Sequence, residues 1–155
     1  MIELYDVTKS YPPNTIALNS VTLKVDPGEF VSIVGQSGSG KSTLVRLLMA
    51  EERPTKGKIM LGGWDITRIA KREIPVLRKQ IGVIFQDYKL LPKKTAFENI
   101  SFALEVSGHR KSEIKKVARQ VLSLVNLKDR GSQYPHQLSG GEQQRVAIAR
   151  SLVHR

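Results

Sequence analysis

The chain changes its hydrophobic period twice. Near the start, "IELYDV" and "VTLKV" set apolar residues at alternate positions, Val21, Leu23 and Val25 in the second, which is the period of a half-buried strand. The turn "DPGE" follows, and then "FVSIV" is apolar without alternation, predicting a short strand covered on both faces. "STLVRLLMAEE" spaces Leu44, Leu47 and Leu48 along one helix face, and the helix is predicted to stop where "RPTKG" brings Pro54 and Gly57. "KIMLGGWDI" reads as a hairpin turning at Gly62 and Gly63, and "IGVIFQ" as a second buried strand.

From about residue 87 the period is helical. "SEIKKVARQVLSLVNLKD" repeats Ile114, Val117, Ala118, Val121, Leu122 and Val125 on one face, with Ser112 as its predicted cap. "GSQYPHQLSGG" reads as a loop, and "EQQRVAIARSLVHR" as a helix with Glu142 near its N-terminus, where the helix dipole favours negative charge. The pattern predicts an α/β fold: an antiparallel β-subdomain at the N-terminus and a mostly helical lobe over about residues 87–135.

Composition narrows the class. With 155 residues, 40% hydrophobic and 25% charged, the chain has the material for one globular core. It has no cysteine, so neither a disulfide nor a thiolate metal site enters. The longest apolar runs fall well short of the roughly 18 residues of a membrane span, and a soluble chain is expected. The net charge of +11 raises the question of nucleic acid, but the basic residues are dispersed in pairs such as Lys71-Arg72, Lys93-Lys94 and Lys115-Lys116. Solvated basic faces are the expected reading, with no nucleic-acid partner.

The stretch "GQSGSGKST" changes the picture. Gly35, four residues, then Gly40, Lys41 and Ser42 complete the pattern G-x-x-x-x-G-K-[ST], between a predicted strand and a predicted helix. The glycines Gly35, Gly38 and Gly40 let the backbone N–H groups of Gln36, Ser37 and Ser39 turn toward phosphate oxygens. The helix that follows aims its positive dipole end at the same anion. Lys41 adds charge for the β- and γ-phosphates, and Ser42, with Thr43 beside it, offers a hydroxyl for Mg²⁺. The loop is thus a candidate nucleoside-triphosphate cradle. "LSGGEQQR" sets Ser139, Gly140 and Gly141 at a second helix N-terminus, with Glu142 and Gln143 following, and the same physics makes it a second anion site.

The two motifs together, with "LSGG" continuing as "EQQRVAIARSL", resemble the ATP-binding cassette (ABC) ATPases. The resemblance spans essentially the whole chain, and the fold, cofactors, residue roles and partners that follow are those it implies. The fold is a P-loop core, one nucleotide-binding domain that is only partial over residues 1–155. The cofactors are ATP and Mg²⁺. Tyr11 in "VTKSYPP" stacks on adenine, and Gln86 in "IGVIFQD" contacts Mg²⁺ and the surroundings of the attacking water. Ser139 to Gln143 close over the γ-phosphate held by the other subunit of a head-to-tail homodimer. The segment "DYKLLPKKTAFENI" receives a membrane subunit's coupling helix.

Within that family "EERPTKGKI", "REIPVLRKQIGVIFQDYKLLP" and "FALEV" look most similar to the cell-division branch, whose members act with an FtsX-type membrane subunit. The site implied is the cytoplasmic face of the bacterial inner membrane, at the division site, with the chain peripheral on the membrane through its partner. Lipoprotein-release and macrolide-efflux ATPases share "LLP…T…EN" and are the alternative within the family.

The family pattern continues past the signature helix with a strand ending in Asp-Glu, a D-loop and a switch histidine. Residues 1–155 contain no counterpart of these, so no catalytic residue is assigned, and His109, His136 and His154 read as surface residues. Phosphoryl transfer needs an oriented water. Residues 1–155 alone are therefore expected to bind ATP weakly and to hydrolyse it near background; a chain naturally ending at Arg155 would be a non-hydrolysing nucleotide-binding scaffold.

Overall fold

The computed structural model describes residues 1–153, which leaves His154 and Arg155 outside the description. The chain divides into two compact units, Met1–Pro75 and Val76–Arg155.

The first unit is built on a four-stranded antiparallel sheet. Strands β1 (Ile2–Tyr11) and β2 (Thr15–Val25) pair with Leu4 opposite Leu23, and β3 (Lys56–Leu61) lies on the other side of β1 with Ile59 opposite Leu4. The short β4 (Trp64–Asp65) completes the order β2-β1-β3-β4. Leu4, Val7, Leu18 and Ile59 are buried; Leu4 and Val7 share the covered side because the register shifts between them at the left-handed Asp6, while Val21, Leu23 and Val25, whose alternation the sequence shows, are half-buried. The predicted hairpin is present: Gly62 and Gly63 are both left-handed, and Leu61 stands opposite Trp64.

Helix α1 (Lys41–Leu48) packs against β2 and buries Leu44 and Leu47. It ends earlier than the sequence predicted. Ala50 takes a left-handed φ of 49°, the Glu51 N–H reaches back to Arg46 O at 2.9 Å and the Ala50 N–H to Leu47 O at 3.0 Å. These two bonds close the helix end on its own carbonyls, so the stop does not wait for Pro54.

A short helix α2 (Ile74–Arg78) runs across the division of the chain. The second unit then holds α3 (Ala96–Val106), α4 (Lys111–Leu124) and α5 (Gly140–Leu152), with single 3-10 turns at Lys128–Arg130 and Pro135–Gln137. Its core joins Ile100 and Leu104 of α3, Ala118 and Leu122 of α4, Val146 and Ala149 of α5, and Leu127. The apolar face read for α4 is the face that packs: Ile114, Ala118 and Leu122 are buried, and Val117, Val121 and Val125 lie against them. Ser112 is not its cap. Arg110 stands in extended backbone at that position and donates its N–H to the Glu113 carboxylate at 3.4 Å, which leaves Ser112 inside the first turn.

Two predicted strands are not formed. Among the described residues Phe30–Val34 and Ile81–Gln86 enter no ladder, and Phe30 is 93% and Val34 86% exposed. A continuous apolar run states a preference for extended, covered backbone, but a strand also needs a hydrogen-bonded neighbour, and neither segment has one here.

Candidate functional site

The phosphate loop is assembled from backbone geometry. Gly38 and Gly40 are left-handed, at φ 83° and 90°, and Gly40 is the residue from which α1 starts. A Cβ on Gly40 would lie 2.2 Å from the Ala17 carbonyl oxygen of β2, so only glycine fits where loop, strand and helix meet. A turn closed by the Ser39 N–H on Gln36 O at 3.2 Å folds Gln36, Ser37 and Gly38 outward, and Gly35 to Ser39 are exposed.

The Lys41 ammonium lies across this loop, donating to Gly35 O and Gln36 O at 2.7 Å each and to Ser39 Oγ at 3.2 Å. Ser42 is exposed and Thr43 half-buried in the first turn of α1. The loop thus offers N–H groups, one ammonium and one hydroxyl at the positive end of a helix, a donor set suited to phosphate and to a phosphate-bound Mg²⁺. No group of three or more His, Cys, Asp or Glu side chains that could hold a metal by themselves occurs among the described residues.

Tyr11 closes β1. Its hydroxyl donates to Glu52 at 2.6 Å, and Lys9 Nζ stands over its ring, 4.9 Å from the centroid. That phenol hydrogen bond, ahead of the Lys9 and Arg46 cations, holds the Glu52 carboxyl below its ordinary range.

The other predicted residues belong to the second unit. Gln86 occupies a central position of a turn closed by the Tyr88 N–H on Phe85 O at 3.0 Å, and it is exposed. Ser139 caps α5. Its hydroxyl accepts from the Glu142 N–H at 3.3 Å, and the Glu142 carboxylate accepts from the Ser139 N–H at 2.8 Å. The Ser139 N–H, and the Ser139 hydroxyl that also donates to the same carboxylate at 2.8 Å, hold the Glu142 carboxyl below its usual range. Gln143 turns inward, donating to Pro135 O at 2.9 Å and Leu138 O at 3.1 Å. Glu142 and Gln143 therefore build the signature loop, while Ser139, Gly140 and Gly141 stand exposed at its tip. His109 and His136 are exposed, as read, and His136 stacks on Tyr134.

Residues 18–155 match the family model described as ABC transporter. The chain belongs to the ABC transporter family. Among curated proteins this ABC chain is 54% identical over 154 residues to the cell division ATP-binding protein FtsE of Bacillus subtilis, covering 99% of the chain and 68% of that protein. It is 45% identical over 155 residues to the FtsE of Escherichia coli, covering 100% of the chain and 70% of the relative. Among solved structures it superposes on the ATP-binding cassette MJ0796, in a dimer bound to ADP and Pi, with a TM-score of 0.90 at 37% identity over 99% of the chain and 70% of that one.

Two residues of this ABC chain that act on the segment around and after Gln86 escaped the sequence reading. Asn99 is fully buried; its Oδ1 accepts the Leu91 N–H at 2.8 Å, and its Nδ2 donates to Leu91 O, Lys94 O and Thr95 O at 3.2, 2.9 and 3.0 Å. It shapes the segment that follows Gln86. Arg150, in the last turn of α5, donates to Tyr88 O and Lys89 O at 2.7 Å each, and both of those residues are left-handed. Next to it, a Cβ on Gly82 would lie 2.4 Å from Ser151 O. The Gln86 turn is held on both sides by one end of the signature helix. A polar residue inside an apolar period was the available signal for Asn99; nothing local marks Arg150.

Proposed function

We propose that the chain is the nucleotide-binding subunit of a cell-division ABC complex of the FtsE/FtsX type, coupling ATP to movement of a membrane partner. The observation that carries the reading is the glycine loop, with Gly40 sterically locked beneath it and Lys41 laid across it. The FtsE relatives support the cell-division assignment. In this reading residues 1–155 form one partial nucleotide-binding domain, with a helical subdomain over about residues 87–135.

Backbone N–H groups of Gln36 to Gly40 bind the phosphates, and Lys41 exchanges its loop oxygens for β- and γ-phosphate oxygens. Tyr11 stacks on the adenine. Ser42 and Gln86 are the side chains that would hold Mg²⁺, whose charge, when bound, offsets that of the β- and γ-oxygens. Ser139 and the first-turn N–H groups at Gly140 and Gly141 meet the γ-phosphate held by a second copy arranged head to tail, with Glu142 and Gln143 fixing their position. The segment after Gln86 receives an FtsX-type subunit at the cytoplasmic face of the bacterial inner membrane, at the division site.

Titration of the full chain with Mg²⁺-ATP tests the loop. Lys41→Ala is expected to weaken binding at least tenfold, and unchanged affinity would remove the loop from the site. Affinity capture from detergent-solubilised membranes tests the partner. An FtsX-type protein is expected, and recovery of a lipoprotein-release or efflux subunit in its place would move the chain to another branch of the family.

A further inference from the structure

The segment Glu51–Thr55, which follows the end of α1, is tied along the strand that ends in Tyr11. The Thr55 N–H bonds Thr8 O at 2.8 Å, Thr55 Oγ1 accepts from the Ser10 N–H at 3.0 Å, and Lys9 Nζ donates to Arg53 O at 2.9 Å. Glu52 sits at the centre. Its Oε2 accepts from the Tyr11 hydroxyl at 2.6 Å and pairs with Lys9 at 3.0 Å, while its Oε1 pairs with Arg46 of α1 at 3.5 Å. The Lys9 and Glu52 side chains are only 14% and 23% exposed, so water screens this pair less than a surface one. Lys9 in turn covers one face of the Tyr11 ring.

From this geometry we infer that Glu52 is a positioning residue for nucleobase recognition: it fixes the Tyr11 ring so that the face away from Lys9 is the one offered to a purine. The carboxylate anchors the phenol oxygen and so limits swing of the ring about χ1, while rotation about the Cβ–Cγ axis, on which that oxygen lies, is opposed by Lys9, which the same carboxylate and Arg53 O hold over one face. A cation over one face leaves the other for stacking and strengthens the bond network that holds the ring. Arg46 belongs to the helix that starts at the phosphate loop, so the Glu52 carboxylate also links the base platform to the phosphate cradle. The left-handed Ala50 that closes α1 is what delivers Glu52 to this position. The inference rests on the reading that Tyr11 stacks on the base.

The test compares two ligands on the full chain in the presence of Mg²⁺: ATP, which has a base, and inorganic tripolyphosphate, which has none. Tyr11→Ala should lose about tenfold in ATP affinity. Tyr11→Phe and Glu52→Ala should each lose roughly three- to tenfold, the double variant no more than the worse single one, and Glu52→Gln, which keeps an acceptor for the phenol, should recover part. Tripolyphosphate affinity should not move in any of them. If Tyr11→Ala weakens ATP but Tyr11→Phe and Glu52→Ala do not, Tyr11 stacks without Glu52 and the inference is wrong. Equal losses for both ligands would make Glu52 a support of the phosphate loop, which also overturns it. If Tyr11→Ala leaves ATP binding intact, the stacking reading fails first. Should Glu52→Ala not fold, Tyr11→Phe removes the same hydrogen bond and decides alone.

Discussion

Asn99 shows how much one side chain can organise. From a fully buried position it accepts the Leu91 N–H and shares its two amide hydrogens among the Leu91, Lys94 and Thr95 carbonyls, so replacing it removes partners from several backbone groups at once. Asn99→Ala is expected to cost roughly 2–3 kcal/mol in chemical denaturation. Asn99→Asp should cost more, because it keeps the acceptor for Leu91 and turns a carboxylate toward three carbonyl oxygens. If Asp proves milder than Ala, the donor role is wrong. At this scale the sequence was informative wherever chemistry is local: the glycine loop, Lys41 and Ser139 were all readable. Asn99, Arg150 and Glu52 were not, because each acts on backbone or on a ring that only the fold brings near.

Elements carry the next level. The α5 cap is a reciprocal pair, Ser139 with Glu142, and the Ser139 N–H and hydroxyl, both donating to the Glu142 carboxylate, hold that carboxyl below its unfolded value. A depressed carboxyl adds stability above its unfolded range and loses it as pH falls through its folded value. Ser139→Ala should therefore cost about 1 kcal/mol at neutral pH, and the difference from the parent should shrink in acid, as read from thermal melts between neutral pH and about pH 3. A pH-independent difference would assign the loss to something other than the cap. The opposite end of α5 holds the Gln86 turn, with Arg150 on Tyr88 and Lys89 and Ser151 against Gly82. Arg150→Ala is expected to raise amide exchange across residues 82–89 at least tenfold, with Arg150→Lys intermediate, since one ammonium serves two divergent carbonyls less well than a guanidinium fork. Unchanged exchange would mean the turn holds itself. The helix between Gly140 at the signature tip and Arg150 in this clasp is about 15 Å long.

At the scale of the molecule, pattern predicted helices and hairpins well and the unpaired apolar runs poorly. Helix α4 needed only its own period, and the β3–β4 hairpin only its two glycines. Phe30–Val34 and Ile81–Gln86 needed a neighbouring strand, which a period cannot supply. Phe30 is 93% exposed, so Phe30→Asp in residues 1–155 should shift stability by no more than about 0.5 kcal/mol and reduce binding of an apolar dye. A loss of several kcal/mol would mean the residue is covered. The dispersed charge of +11 suggests that ionic strength governs every anion the chain meets, but Lys41 points the other way for its own site. Its ammonium is already seated on three oxygens, and an incoming ion must displace all three to reach it. On the proposed reading of the loop as a phosphate cradle, chloride, with one diffuse charge, would not compensate for that exchange, whereas a polyphosphate would. The same three contacts that hold Lys41 at rest would then sort anions by valence.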